Sequence, residues 1–109
     1  MMLALGTPMP TADVFDHEAG VIVGPRAVVE LTPLEARLVA ALARRAGKIC
    51  SRHYLVMEIW PDETGAPVTA YEKALNGLVA RTREKLAAAG LAEDTLHTRR
   101  LMGYVWRLD

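Results

Sequence analysis

Between Leu31 and Thr32 the apolar pattern changes period, and that change decides what this chain can fold into. Before it, apolar residues come in short β-branched runs, Val21-Ile22-Val23 and Ala27-Val28-Val29, separated by the turn-forming "GPR". The stretch "DHEAG" at 16–20 reads as an earlier turn, so residues 14–31 predict a small antiparallel sheet of two to four strands. After it, "TPLE" places Thr32 as an N-cap, Pro33 at the first helical position and Glu35 where a capping box wants a carboxylate. Leu34, Leu38 and Leu42 recur every four residues and form one apolar stripe. Arg44 and Arg45 suit the negative end of the helix dipole, and Gly47 suits its termination.

Ile49-Cys50 reads as a brief extended link to a second helix, capped by Ser51 and running to Trp60, with Leu55, Val56, Ile59 and Trp60 inward. Pro61 stops it, and "PDETGAP" is a loop by composition. A third helix is expected from Thr69, with Glu72 completing another capping box, to near Gly90. Two strands, near Leu96–Arg99 and Tyr104–Leu108, close the chain. Residues 1–12 read as a loose lead-in and 13–109 as one domain of α+β class.

Composition removes several function classes. A chain of 109 residues with 51% hydrophobic and 24% charged residues can build one core and is not disordered by composition. The single cysteine, Cys50, permits no internal disulfide and fits a reducing, cytoplasmic setting. No apolar run is long enough to span a membrane, and no phosphate- or dinucleotide-binding glycine motif is present. His17, His53, His97 and Cys50 are scattered, so neither a metal site nor any other cofactor is expected. Formal net charge is zero, but its distribution is uneven. Residues 1–67 carry six basic and eight acidic side chains, and residues 68–109 carry seven and five.

The third helix draws the functional reading. On a helical wheel Leu75, Val79, Thr82 and Leu86 share the core face, and Lys73, Gly77, Ala80, Arg81 and Glu84 lie opposite. Glycine inside a helix costs about 1 kcal/mol relative to alanine, so the bare strip at Gly77 and Ala80 asks for a reason. Close approach to a DNA groove is one, with Arg81 reaching a base edge and Lys73, Arg83 and Lys85 meeting phosphates. A solvated helix face is the other. The doublet Arg99-Arg100, near the tip of the last hairpin, is either a DNA contact or a charged edge that discourages aggregation.

The order of elements and the segments "VELTPLEARLVAAL", "SRHYLVMEIW", "RTREKL" and "HTRRLMGYVWRL" resemble the winged-helix DNA-binding domain of OmpR/PhoB-type response regulators, over roughly Val14 to Leu108. The resemblance implies an N-terminal antiparallel sheet, three helices and a C-terminal hairpin wing. It implies a non-enzymatic, sequence-specific transcriptional regulator whose third helix, about Thr69–Ala89, lies in the major groove of double-stranded DNA. By motif position Lys73, Arg81 and Arg83 fall where the family uses basic residues on DNA. Thr98 and Arg100 match wing positions, Arg100 being the arginine placed in or near the minor groove, with Arg99 beside it. Trp60 matches a tryptophan that touches the DNA backbone. The loop from Pro61 to Val68, with Asp62 and Glu63, matches the segment that faces RNA polymerase. A dimer on repeated half-sites is a further expectation.

The chain departs from the pattern at Leu78, Ala80, Thr82 and Leu101, the last standing at the usual first wing glycine. With only a dozen residues ahead of the sheet, no receiver domain is expected within this sequence. The alternative reading is an adaptor of the same fold that binds a protein through the bare helix face and Leu78.

Overall fold

The computed structural model describes residues 14–61 and 67–108. The lead-in at 1–12, and Asp62 and Glu63, lie outside the described residues. Within them a three-stranded antiparallel sheet precedes three helices and a C-terminal hairpin closes a second three-stranded sheet, as the sequence predicts except at four places.

The first sheet comprises β1 (Phe15–Asp16), β2 (Val21–Val23) and β3 (Val28–Glu30), in that order. Asp16 builds the first turn, its carboxylate accepting from the Ala19 N–H at 2.9 Å and its carbonyl from the Gly20 N–H at 2.8 Å. β3 begins one residue later than the hydropathy predicts. The Ala27 carbonyl accepts from the Gly24 N–H at 3.0 Å, which keeps Ala27 in the turn.

Helix α1 (Pro33–Arg44) starts at the predicted capping box, with both reciprocal bonds made. The Glu35 N–H donates to Thr32 Oγ1 at 3.3 Å, and the Thr32 N–H donates to Glu35 Oε1 at 2.8 Å. Leu38 and Leu42 are wholly buried and Leu34 packs at the margin. Helix α2 (Arg52–Ile59) is capped by Ser51, whose hydroxyl accepts from the Tyr54 N–H at 3.0 Å, and buries Leu55, Val56 and Ile59. Arg37 ties α1 to the end of α2 by donating to the Ile59 carbonyl at 2.9 Å, and Arg44 pairs with Glu58.

The expected capping box at Thr69 is not formed. The Ala70 N–H bonds back to the Pro67 carbonyl at 2.9 Å, which winds Val68–Tyr71 as a tighter 3₁₀ turn. The Tyr71 ring packs on Trp60 with centroids 5.1 Å apart, fixing that turn against the end of α2. Helix α3 proper is Glu72–Ala88, and no side chain caps its start. Its C-terminus is a Schellman motif. The Leu91 N–H reaches the Leu86 carbonyl and the Gly90 N–H reaches that of Ala87, with Gly90 at φ +92°. The Arg26 N–H, from the β2–β3 turn, satisfies the Ala89 carbonyl at 2.9 Å, so the first sheet holds the far end of α3.

The link at Ile49–Cys50 is in fact a strand, β4, and β5 (Leu96–Arg99) and β6 (Gly103–Trp106) complete a sheet of order β4-β6-β5. β6 is the central strand and is buried throughout, and its ladder with β5 runs from the Arg99–Gly103 pair to the Leu96–Trp106 pair, so it begins at Gly103 and ends at Trp106 rather than running to Leu108. Its register pairs Cys50 with Tyr104 and Arg99 with Gly103. The backbones of β4 and β6 approach so closely at Gly103 (φ +139°) that a Cβ there would stand 2.1 Å from the Cys50 carbonyl oxygen. The hairpin is therefore clamped at its root.

Candidate nucleic-acid interface

Helix α3 buries Leu75, Leu78, Val79, Thr82 and Leu86. Leu78 is 1% exposed, so it belongs to the core and is not available to a protein partner as the adaptor reading requires. A leucine three residues from Leu75 and four from Thr82 extends the same stripe. Thr82 is accommodated in the core because its hydroxyl donates to the Leu78 carbonyl at 2.8 Å. Lys73, Ala80, Arg81 and Glu84 are exposed and Gly77 is half-buried, which leaves the bare strip open to an approaching surface. A Cβ on Gly77 would meet only the Arg81 guanidinium, at 3.3 Å. The protein's own packing does not require glycine there, and Arg81 already lies back along the strip.

The basic residues divide into two groups. Lys85 is not a free cation. Its Nζ sits 2.6 Å from Oε1 of Glu35, whose carboxylate is 1% exposed. A buried carboxylate needs a counter-charge, and the capping role of Glu35 puts it where Lys85 supplies one. Burial pushes the Glu35 carboxyl up, but the Lys85 ammonium together with the Thr32 N–H outweighs it and holds the group below its ordinary value. Arg83 is likewise engaged. Its Nε donates to the Leu96 carbonyl at 2.9 Å and its Nη2 to Thr98 Oγ1 at 2.5 Å, joining α3 to the hairpin. Lys85 and Arg83 are therefore held by contacts within the protein itself.

Lys73, Arg99 and Arg100 are exposed and make no ion pair among the described residues. Arg81 is 59% exposed, with Nε 3.8 Å from Glu35 Oε2, a loose contact that orients it and leaves its fork accessible. Arg99 lines a shallow groove with His97 and Arg107, on the sheet face opposite Thr98 and Tyr104. Arg100 stands at the tip. Trp60 is half-buried and committed to Tyr71 by one ring face.

One junction is not legible from the sequence. Asn76 Oδ1 on α3 accepts from Arg52 Nη1 on α2 at 2.9 Å and from the Tyr104 hydroxyl on β6 at 3.4 Å. The Arg52 guanidinium also lies 5.3 Å from the centre of the Tyr104 ring. These three residues fix the angle between α2, α3 and the hairpin. Asn76 follows Lys73 and precedes Ala80 at helical spacing, so it borders the exposed strip. The tip itself turns through Arg99–Met102, closed by the Met102 N–H on the Arg99 carbonyl at 2.9 Å. Leu101 there has φ +67°, a backbone region that costs a leucine about 1–2 kcal/mol. Cys50 is buried, and burial pushes its thiol up, away from reactivity. Among the described residues no group of histidine, cysteine and carboxylate side chains could hold a metal ion, and no helix is long and apolar enough to cross a membrane.

The Glu35–Lys85 pair has a consequence for acid stability. Between the folded and unfolded pKa of a depressed carboxylate, the unfolded chain binds the extra proton, so stability falls as pH falls. The contribution of Glu35 is full above the ordinary glutamate range and is lost below it. Glu35→Gln is expected to lower stability by about 1–2 kcal/mol at neutral pH and to flatten the acid limb of a melting-temperature profile. An unchanged acid limb would contradict the pairing.

A sheet–helices–sheet domain whose third helix is exposed beside a clamped hairpin is a winged helix-turn-helix. The family profile described as "Transcriptional regulatory protein, C terminal" matches residues 26–106, and the chain belongs to that family, the OmpR/PhoB-type DNA-binding domains of transcriptional regulators rather than of enzymes. Among solved structures it is similar to the C-terminal domain of the lantibiotic response regulator NsrR, the nisin resistance regulator (TM-score 0.66, 22% identity, 99% of each chain covered). It is similar also to the DNA-binding domain of the response regulator AdeR in complex with an intercistronic region (TM-score 0.68, 18% identity, 87% of this chain and 93% of that one). A third is the C-terminal DNA-binding domain of RstA from Klebsiella pneumoniae (TM-score 0.59, 20% identity, 98% and 94%). Among curated proteins no sequence matches.

Proposed function

We propose that this regulator lays the Lys73–Gly77–Ala80–Arg81 face of α3 into the major groove and follows the adjacent minor groove with the β5–β6 tip. The observation that carries this reading is the partition of cations. Arg83 and Lys85 are spent on the scaffold, whereas Lys73, Arg81 and Arg100 stand outward from two elements that Arg83 binds together. In this reading Arg81 reads a guanine edge, Lys73 meets a phosphate, and Arg100 enters a narrow A·T-rich minor groove, whose negative potential favours arginine. Trp60 lies close enough to the start of α3 to touch the backbone with its free edge. Duplex DNA as the occupant is supported by the AdeR neighbour, captured on an intercistronic region. Pairing on repeated half-sites, and contact of the 61–68 loop with RNA polymerase, extend the proposal and rest on the family alone.

Salt dependence tests the electrostatic part. Lys73, Arg99 and Arg100 together displace about three counterions, so log affinity should fall against log salt with a slope of about −2.7 per bound chain. Titrations of one duplex at several salt concentrations measure it. A flat response would overturn the DNA reading and favour a protein partner for the same face.

A further inference from the structure

The tip of the hairpin carries two features that the arginines do not explain. Leu101 is 98% exposed and Met102 is 55% exposed, side by side on a projecting turn. Leu101 is also held at φ +67°, where glycine is the favoured residue and a leucine is strained. In the free protein this side chain buries no apolar surface, so its conformational cost is offset by nothing. A glycine would serve the turn better. Burial of the leucine side chain in a complex would offset that cost.

We infer that Leu101, with Met102 behind it, is an apolar wedge that enters the DNA minor groove at a deformable base step. The inference rests on the DNA reading proposed above and adds a second kind of sequence recognition to it. Three observations favour this occupant. Arg99 and Arg100 immediately precede the apolar pair, and residues 98–103 contain no acidic side chain, so the tip complements a polyanion. The root is rigid, because Gly103 lies against the Cys50 backbone and the Met102 N–H closes the turn, so the wedge need not be ordered on binding. The hairpin is also joined to α3 through Arg83, so a helix seated in the major groove carries the tip toward the neighbouring minor groove. Leucine and methionine are among the side chains that partly unstack base steps from the minor groove and bend the duplex.

The wedge predicts a preference opposite to that of an arginine alone. Arginine favours the narrow, stiff minor groove of an A-tract, whereas a wedge favours a pyrimidine–purine step such as TA, which unstacks easily. The test uses the full chain and two duplexes that share the best-bound major-groove sequence and differ only in TA against AA at the tip position. Both carry fluorophores at their ends so that bending is read as energy transfer. The wild-type chain should prefer TA roughly fivefold to tenfold and bend it more. Leu101→Gly relieves the backbone strain, so it should fold and melt higher. It should keep the major-groove preference and the salt slope, and lose both the TA preference and the bend. Leu101→Ala, which keeps the strain but shortens the wedge, should lose them as well. A Leu101→Gly variant that keeps the step preference and the bend overturns the wedge while leaving the DNA reading intact. A wild-type chain with no sequence preference overturns both. Binding to vesicles of phosphatidylglycerol that Leu101→Gly abolishes, with DNA behaviour unchanged, would overturn the wedge by assigning the tip to an anionic lipid surface.

Discussion

Gly103→Ala is expected to cost about 3 kcal/mol or more, a fall in melting temperature of roughly 10 °C or more. The added Cβ would lie 2.1 Å from the Cys50 carbonyl oxygen, 2.9 Å from its carbon and 3.0 Å from Ser51 Cα, all backbone atoms with no rotamer to escape into. Residue 103 also has φ +139°, which an alanine tolerates poorly. Strand β4 must move off β6, and with it goes the Cys50–Tyr104 pairing that roots the tip. Gly47→Ala is the control. It shares a positive φ of +81° but has nothing within 4 Å of the new Cβ, so it should cost only about 1 kcal/mol. Thermal or denaturant unfolding separates the two, and equal losses would show that conformation, not the close approach, is what Gly103 supplies.

The second large effect is on recognition. Arg81→Ala should lower affinity for the preferred duplex by about 1–3 kcal/mol and relax the preference at one base position, the behaviour of a lost base-edge contact. The side chain suits this task, since it lies over Gly77 without a bulky neighbour and is oriented from behind by Glu35. Its contact with Glu35 is long and half-exposed, so stability should change little. Lys73→Ala is the contrasting variant and should weaken all sequences alike. A uniform loss from Arg81→Ala, with every base preference intact, would demote Arg81 to a phosphate contact.

What could be read from the sequence was the part decided within one turn of chain. Thr32, Pro33 and Glu35 settle the start of α1 among themselves, and Ser51 does the same for α2, so both were legible. The stripe Leu75, Val79, Thr82, Leu86 was legible for the same reason, and Leu78 was misplaced only because it sits at the stripe's margin. Thr69 and Glu72 have capping-box spacing too, yet the nearby Pro67 carbonyl and the Tyr71–Trp60 packing wind a 3₁₀ turn instead. Strand β4 is two residues long and becomes a strand only through β6, more than fifty residues later, so no local pattern could mark it.

The same limit governs the interface. Lys73, Arg81, Arg83 and Lys85 all lie off the core stripe, and the sequence alone does not tell their partners. What separates them is Glu35, fifty residues from Lys85, and Thr98, fifteen from Arg83. The Arg52–Asn76–Tyr104 junction spans three elements, and none of its members stands in a pattern that would single it out.

Selection of bound duplexes from a random pool by the purified chain tests the central claim most directly. The orientation of α3 and the hairpin predicts an enriched core of a few base pairs containing guanine, where Arg81 reads, flanked on one side by A·T-rich sequence at the tip position. The Arg81→Ala chain should enrich the flank and lose information in the core. A pool that emerges no different from its input, or a core unchanged by Arg81→Ala, would contradict the assignment of α3 as the reading element.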